Sequence, residues 1–447
     1  MNAEKTTEEI NDRIRAKRAV VLTAEEMKHF IAENGVSKSL EKVDVVTTGT
    51  FGAMCSSGAF LNFGHADPPL KMEKLTLNGV PVYGGIAAVD AYLGATERAE
   101  KSKTHYGGAH VIEDLVAGKR VVLKAKGRPT YCYPAKSVST DISLADMNQA
   151  ILLNPRNAYQ RYNAAANSTD KTIYTYMGRL LPRLGNITYS GAGELSPINN
   201  DPKFLTIGIG TRIFLGGGTG FVISSGTQHS PETGFSTLMV KGDLKMMNAE
   251  FLRGAYMHGY GCTLFVGIGV PIPVLNEEIV RQLAVTDDRI TVNVVDYGIP
   301  RLARPVLKSG VSYRELKSGF VEIDGRKIRT ASISSLFMAR KIADTLKRWI
   351  ERGDFSLTQA VEPLSTSGIA RPLTLRQPEK IVVPRGKDRH RDAVLIDHAR
   401  CIHCDLCIAQ CPHEAISKDA ENFVRIDSEK CTLCRTCVKI CSVGCFE

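Results

Sequence analysis

Between Thr23 and Asn34 the apolar residues Met27, Phe30 and Ile31 share one helical face. Thr23 and Glu26 stand at capping-box spacing and Gly35 offers a stop, so a helix is predicted over residues 23–34. Next, KVDVVTTGTFGAMCSSG reads as a strand running into a Gly/Ser loop that carries Cys55. Short apolar runs at 120–125, 204–209, 212–215, 221–224 and 292–295 predict further strands. Residues 80–97, 111–118 and 144–152 have helical or mixed patterning, and residues 332–352 read as an amphipathic helix. GGGTG at 216–220 lies between two strands with no helix after it, which predicts a tight turn rather than a dinucleotide loop. Strands and helices alternate irregularly. The expected fold is an α/β or α+β body whose topology the pattern leaves open.

The texture changes near residue 361. Pro363, Pro372, Pro378 and Pro384 punctuate a basic stretch with little periodicity. The expected organisation is a body over 1–360, a basic linker or surface arm over 361–392, and a compact tail over 393–447. The tail repeats itself at an offset of 30 residues: VLID before Cys401-x-x-Cys404-x-x-Cys407-x-x-x-Cys411, and VRID before Cys431-x-x-Cys434-x-x-Cys437-x-x-x-Cys441.

Composition narrows the class. The 447 residues are 43% hydrophobic and 23% charged, which excludes disordered, collagen-like and disulfide-scaffold chains. Glycines and Arg212 interrupt the apolar stretch 204–223, and Pro271 and Pro273 break 262–275, so no membrane span is expected. The charged start MNAEKTTEEINDRIRAKR does not read as a signal peptide, and a cytoplasmic location is expected. Of the net +10, residues 1–370 hold +8 and residues 393–447 hold −2, a balance that favours docking of the tail on the body. A nucleic-acid surface is the competing reading of the basic excess, but no recognised motif accompanies it, and no nucleic-acid partner is expected.

Nine of the twelve cysteines follow residue 400. A [4Fe–4S] cluster needs four thiolates at tetrahedral corners. A CxxCxxC loop supplies three from one side, and in a duplicated module the distal cysteine of each repeat serves the other cluster. The tail resembles bacterial-type two-cluster ferredoxins over about 55 residues. That resemblance implies one cluster on Cys401, Cys404, Cys407 and Cys441, and another on Cys431, Cys434, Cys437 and Cys411. Ser442 stands where those proteins have proline, a change expected to loosen that turn. A zinc module is the competing reading, disfavoured because structural zinc usually takes two separated CxxC pairs. Purely structural clusters are the other. Cys445 has no place in the pattern.

Three cysteines remain in the body. Cys55 lies in a turn of small residues and Cys132 in KGRPTYCYP, near Lys126 and Arg128, settings that suit a reactive thiolate. Cys262 is followed by apolar residues. Each can also be read as a small buried hydrophobe. Tyr106–His110 enters a predicted helix whose start could hold a carboxylate, although a plain loop is the stronger reading. His65, His105, His110, His229 and His258 sit near glycines without one standing out, and Arg128 or Arg212 could bind a carboxylate.

TGTFGAMCSSGAFLNFGH around Cys55, YGGAH at 106–110, GRPTYCYP around Cys132 and GIGTRIFLGGGTGFV at 208–222 resemble the homocysteine-biosynthesis family of archaea and anaerobes over most of residues 10–365. The resemblance implies an L-aspartate semialdehyde sulfurtransferase with functional cysteines at Cys55 and Cys132. Many members rely on a separate ferredoxin-like partner; a fused iron–sulfur module puts that need in doubt. The expected partners are the aldehyde, a sulfide or persulfide donor, a low-potential electron donor and a second copy of the chain in a homo-oligomer.

The chemistry is consistent with two clusters. Hydrosulfide and an aldehyde give a thioaldehyde and water, and reduction to a thiol takes two electrons, which two one-electron carriers can deliver. A variant places a third cluster on Cys55, Cys132 and Cys262, and would raise the iron content from about eight to about twelve atoms per chain. An electron-transfer or sulfur-binding subunit dependent on a partner, or an enzyme for another aldehyde, are the alternative classes.

Overall fold

The Thr23 hydroxyl accepts the Glu26 amide at 3.2 Å while the Glu26 carboxylate takes the Thr23 amide at 2.7 Å, so the expected capping box starts the helix Ala24–Lys42. Gly35 breaks it at φ 76°, as expected, but the chain resumes helical geometry to Lys42. This is a computed structural model that describes residues 4–99, 105–374 and 394–446.

Most of the body is antiparallel sheet. Thirteen described strands form one sheet, running from Leu252–Met257 through Gly261–Gly269, Arg212–Leu215, Gly218–Ser225, Leu238–Asp243, Gln149–Asn157 and Gly58–Asn62 out to Val121–Lys126 and Ser137–Ile142. The strand Thr50–Ala53 pairs with Gly261–Gly269 beside it, with Ala53 opposite Phe265. Gly216 and Gly217, at φ 57° and 87°, make the predicted tight turn between two of these strands. A second, mixed sheet of six described strands includes Ala164–Ala166, Ile187–Tyr189 and Arg326–Ser332.

Three local expectations are corrected. Residues 80–97 hold the strands Val80–Tyr83 and Asp90–Gly94, and residues 144–152 hold one 3₁₀ turn followed by the strand Gln149–Asn157. The strand expected over 204–209 shrinks to Gly208–Ile209. Gln149–Asn157 pairs with strands distant in sequence, Val80–Tyr83 closes a hairpin with Lys74–Leu77 across Asn78 and Gly79, and the Asp201 carboxylate holds the 205–207 amides in a loop.

The helix Leu336–Arg352 turns Met338, Ala339, Ile342, Ala343, Leu346 and Ile350 inward, capped by Ser335 and ended by Gly353 at φ 84°. It packs across Thr50–Ala53 and Gly261–Gly269. Gly49 permits this approach, because a Cβ there would collide with the Ala339 carbonyl. Of the stretch expected to be a linker, Glu362–Pro363 pairs with Gly208–Ile209 and Ala370 bonds to Ser230, so its beginning lies along the body. Residues 375–393 lie outside the described residues.

The tail shows its duplication as two short helices, Leu406–Ala409 and Thr436–Ile440, and a two-stranded ladder of Ile416–Lys418 with Val424–Ile426. It is docked, not tethered. Cys401, Ile402, Val443 and Phe446 share one apolar cluster with Ile10, Phe51, Ala53, Phe214 and Ile342 of the body. Polar contacts edge that cluster. The Arg253 guanidinium donates to the His398 and Cys401 carbonyls at 2.7 and 3.2 Å and pairs with Glu113 at 2.6 Å. His105 meets Asp397 at 2.9 Å, and the Tyr256 amide donates to Ala399. Ser442, in the proline position, has reason to be serine: its hydroxyl donates to the Ser332 carbonyl at 2.9 Å while its own carbonyl accepts the Arg179 amide at 2.7 Å. The turn expected to loosen is held by the body.

Candidate active site and cluster-binding tail

Register places Cys55. Continuing the pairing of Ala53 with Phe265 sets Cys55 opposite Thr263, and the Thr263 hydroxyl donates to the Cys55 sulfur at 3.3 Å. The Tyr260 phenol stands near enough to the same sulfur for the thiol to raise its pKa. Around these stands a group of tyrosines: the rings of Tyr176 and Tyr260 lie 5.8 Å apart, Tyr176 and Tyr297 share a hydroxyl contact of 3.0 Å, and Tyr159 packs 5.2 Å from Tyr162. Burial pushes the Tyr159 phenol up to about 12, and burial raises Tyr162, Tyr260 and Tyr297 further still. These phenols therefore stay protonated at neutral pH and act as hydrogen-bond donors.

The sequence-based candidates separate. Cys55 is half-buried at the end of its strand, whereas Cys132 is exposed on the loop between Val121–Lys126 and Ser137–Ile142. Cys132 lines an open groove with His65, Asp67, Pro69 and Tyr133. Both thiols are free, and their described neighbours are different residues. Cys262 is fully buried against Gly107, and burial pushes its thiol up to about 11. It precedes Thr263 on the same strand, so alternation turns it to the sheet face away from Cys55. The geometry thus gives no convergence of Cys55, Cys132 and Cys262 on one cluster.

Arg128 is 88% exposed and faces Glu73, and Arg212 lies over the Phe355 ring, so neither carboxylate candidate adjoins Cys55. His110 accepts the Gly107 amide and faces the Ala399 carbonyl of the tail, and burial lowers its pKa. Sequence reasoning missed Thr263, Tyr260, Tyr159 and Arg156. The one available signal was the density of Arg, Asn and Tyr in NPRNAYQRY at 154–162.

In the tail, the thiols that oppose one another's ionisation fall into two groups. Cys404 and Cys407 are raised first by burial and then by Cys441, Cys401 and each other's neighbourhood, Cys407 to about 12. Cys437 is raised by burial to about 11, with Cys431, Cys434 and Cys411 around it. The second group lines a cavity whose other walls include Val394, Ala415, Ile416 and Ile426. Four thiols converging on an apolar cavity suit an iron–sulfur core that accepts four thiolates at once. Cys445 is buried with its sulfur 3.3 Å from that of Cys441, and hydrogen bonds to Cys401 and Cys441 push its thiol well above the usual range.

A mixed α/β body bearing a hydroxyl-lined cysteine, with a duplicated four-cysteine module docked on it, defines an iron–sulfur fusion of a sulfur-handling class. The chain belongs to the family described as homocysteine biosynthesis enzyme, sulfur-incorporation, whose model matches residues 19–357; a 4Fe-4S dicluster domain matches residues 394–447. It is similar to a protein of Methanocaldococcus jannaschii named L-aspartate semialdehyde sulfurtransferase, 56% identical over 375 residues, covering 80% of this chain and 73% of that one. A protein of Methanosarcina acetivorans with the same name is 51% identical over 392 residues, covering 88% and 77%. The tail is similar to a ferredoxin of Escherichia coli, 42% identical over 50 residues, covering 10% of this chain and 57% of that one. No solved structure matches the chain. No described helix is long and apolar enough to cross a membrane.

Proposed function

We propose that this chain converts L-aspartate semialdehyde to L-homocysteine by reductive sulfur transfer at Cys55. The observation that carries the reading is the placement of Cys55 beneath the Thr263 hydroxyl and beside the Tyr260 phenol, just past a strand whose Phe51 and Ala53 share an apolar cluster with cysteines of the docked tail. The relatives' names support the substrate.

The Cys55 thiol adds across the aldehyde: a carbon–sulfur bond forms and the carbonyl oxygen takes the proton. Tyr260 and Thr263, already at the sulfur, are placed to donate to the developing alkoxide. Hydrosulfide replaces the hydroxyl and water leaves. Cys132 is the second thiol of the scheme. The Cys55 thiolate then leaves the carbon, which keeps the new sulfur as a thioaldehyde, and two electrons and two protons reduce that to the product thiol. Cys401, Cys404, Cys407 and Cys441 would hold one [4Fe–4S] cluster and Cys431, Cys434, Cys437 and Cys411 the other. Such clusters supply electrons singly at low potential.

The test is an anaerobic assay with aspartate semialdehyde, sulfide and a low-potential reductant, reading homocysteine by mass spectrometry. The lone chain forms homocysteine, and C55S abolishes it. Full turnover in both C55S and C132S would overturn the scheme.

A further inference from the structure

The polar atoms left without partners beside Cys55 describe a ligand. The Ser56 hydroxyl, the Asn154 side-chain oxygen and the Arg156 Nε are all buried and unpaired. Asn154 is tied to the Cys55 turn, because its amide donates to the Ser57 hydroxyl at 2.7 Å. Arg156 is tied to it through Tyr159. The guanidinium lies 5.9 Å from the Tyr159 ring, and Tyr159 is close enough to Cys55 for the thiol to raise its pKa.

The backbone is built to aim this arginine. The strand Gln149–Asn157 pairs in regular register with Gly58–Asn62 and Leu238–Asp243 until a bulge falls between Asn154 and Asn157. A bulge redirects the side chains it carries, here Pro155 and Arg156. Ala158 follows at φ 52° and is fully buried, a left-handed conformation costly for a residue with a Cβ. Disrupted pairing, a strained buried alanine and orphaned polar groups meet within five residues.

We propose that Arg156 is the carboxylate-binding residue of the Cys55 site, and that Asn154 reads the α-ammonium of the same substrate. The inference rests on the reading above, in which an α-amino acid aldehyde reaches Cys55. Arg156 presents an unpaired N–H to a carboxylate acceptor, and the Asn154 oxygen is an unpaired acceptor for ammonium protons. With both ends of the amino acid held, the aldehyde is directed at the sulfur and its hydroxyl donors. An aldehyde lacking the carboxylate leaves the buried Arg156 Nε unpaired, which is how a site rejects an analogue that lacks a polar group.

The test uses the anaerobically purified, cluster-loaded chain with two non-reacting probes, L-homoserine and 3-amino-1-propanol, which differ by the carboxylate. By calorimetry the wild type binds homoserine and discriminates against the aminoalcohol. R156Q loses homoserine affinity about 10- to 100-fold, the loss expected for a charge-assisted bond, and binds the aminoalcohol unchanged. R156K recovers part of the loss because it keeps the charge without the planar fork. In turnover, R156Q raises KM for the semialdehyde more than it lowers kcat.

Equal homoserine affinity in wild type and R156Q overturns the proposal. So does a wild type that binds both probes alike or neither, a result that needs no variant to fold. A wild type that binds homoserine through Arg156 yet forms no homocysteine would remove the proposed reaction and leave the amino-acid site standing.

Discussion

Replacing Arg253 by methionine tests whether the docked tail is held as the contacts imply. The substitution deletes two bonds to tail carbonyls and the 2.6 Å pair with Glu113, whose partners are 18% and 17% exposed. Glu113 is left with the Gly254 amide as its described donor, at 2.8 Å. Stranding one member of a buried pair costs about 3–5 kcal/mol, and the residual exposure here points to the lower end, about 3 kcal/mol. The His398 and Cys401 carbonyls can recover water if the tail lifts away, so the loss concentrates in docking rather than in the body's own folding.

Burial raises the Glu113 carboxyl above the usual range even beside Arg253. A carboxyl raised in the folded state contributes stability below its unfolded value that is lost as pH rises through the folded value. In R253M the folded value climbs further, so the deficit grows as pH rises, and E113Q/R253M removes that slope. The assay is urea unfolding followed by cluster absorbance and by far-ultraviolet circular dichroism. R253M separates the two transitions, with cluster loss first, and the double variant recovers at least about 1.5 kcal/mol of the loss. Unchanged coincident transitions in R253M, or strictly additive losses in the cycle, would refute the reasoning.

Other outcomes follow from single features. Iron analysis gives about eight atoms per chain, C445A keeps that number, and C411S lowers it to about four; twelve would restore the three-cysteine cluster of the body. Gly178 stands at φ 87° where a Cβ would strike the Ser442 carbonyl, so G178A increases hydrogen exchange at Arg179 and across 442–446, and unchanged exchange there would count against that contact. Lys28 is buried, and desolvation lowers its pKa to about 8. The unfolded chain then binds more protons between pH 8 and 10.5, so wild-type stability rises across that window by about 2–3 kcal/mol relative to K28M; a parallel pH dependence in the two proteins would contradict this.

Legibility in the sequence followed the range of the interaction. The capping box of Thr23 and Glu26, the Gly216–Gly217 turn and the amphipathic face of 336–352 are made by residues close in the chain, and each was readable from spacing alone. The duplicated cysteine runs were readable for the same reason, since three thiols of each set lie within seven residues. By contrast, residues 149–157 become a strand because they pair with Gly58–Asn62 and Leu238–Asp243, segments that local pattern does not see.

The sequence by itself determined the family resemblance, the two-cluster module and the singling out of Cys55. Tertiary structure alone decided what surrounds that sulfur. Thr263 is 208 residues away, yet antiparallel register sets it opposite Cys55, and the same strand turns neighbouring Cys262 to the other face. Arg156 sits in a bulge that exists only because its strand pairs with Leu238–Asp243. Ser442 looked like a defect in a ferredoxin pattern and is instead a joint to the body. Side-chain period and sheet register are global properties of pairing, so the chemistry of Cys55 could be suspected from its local residues but assembled only by the fold.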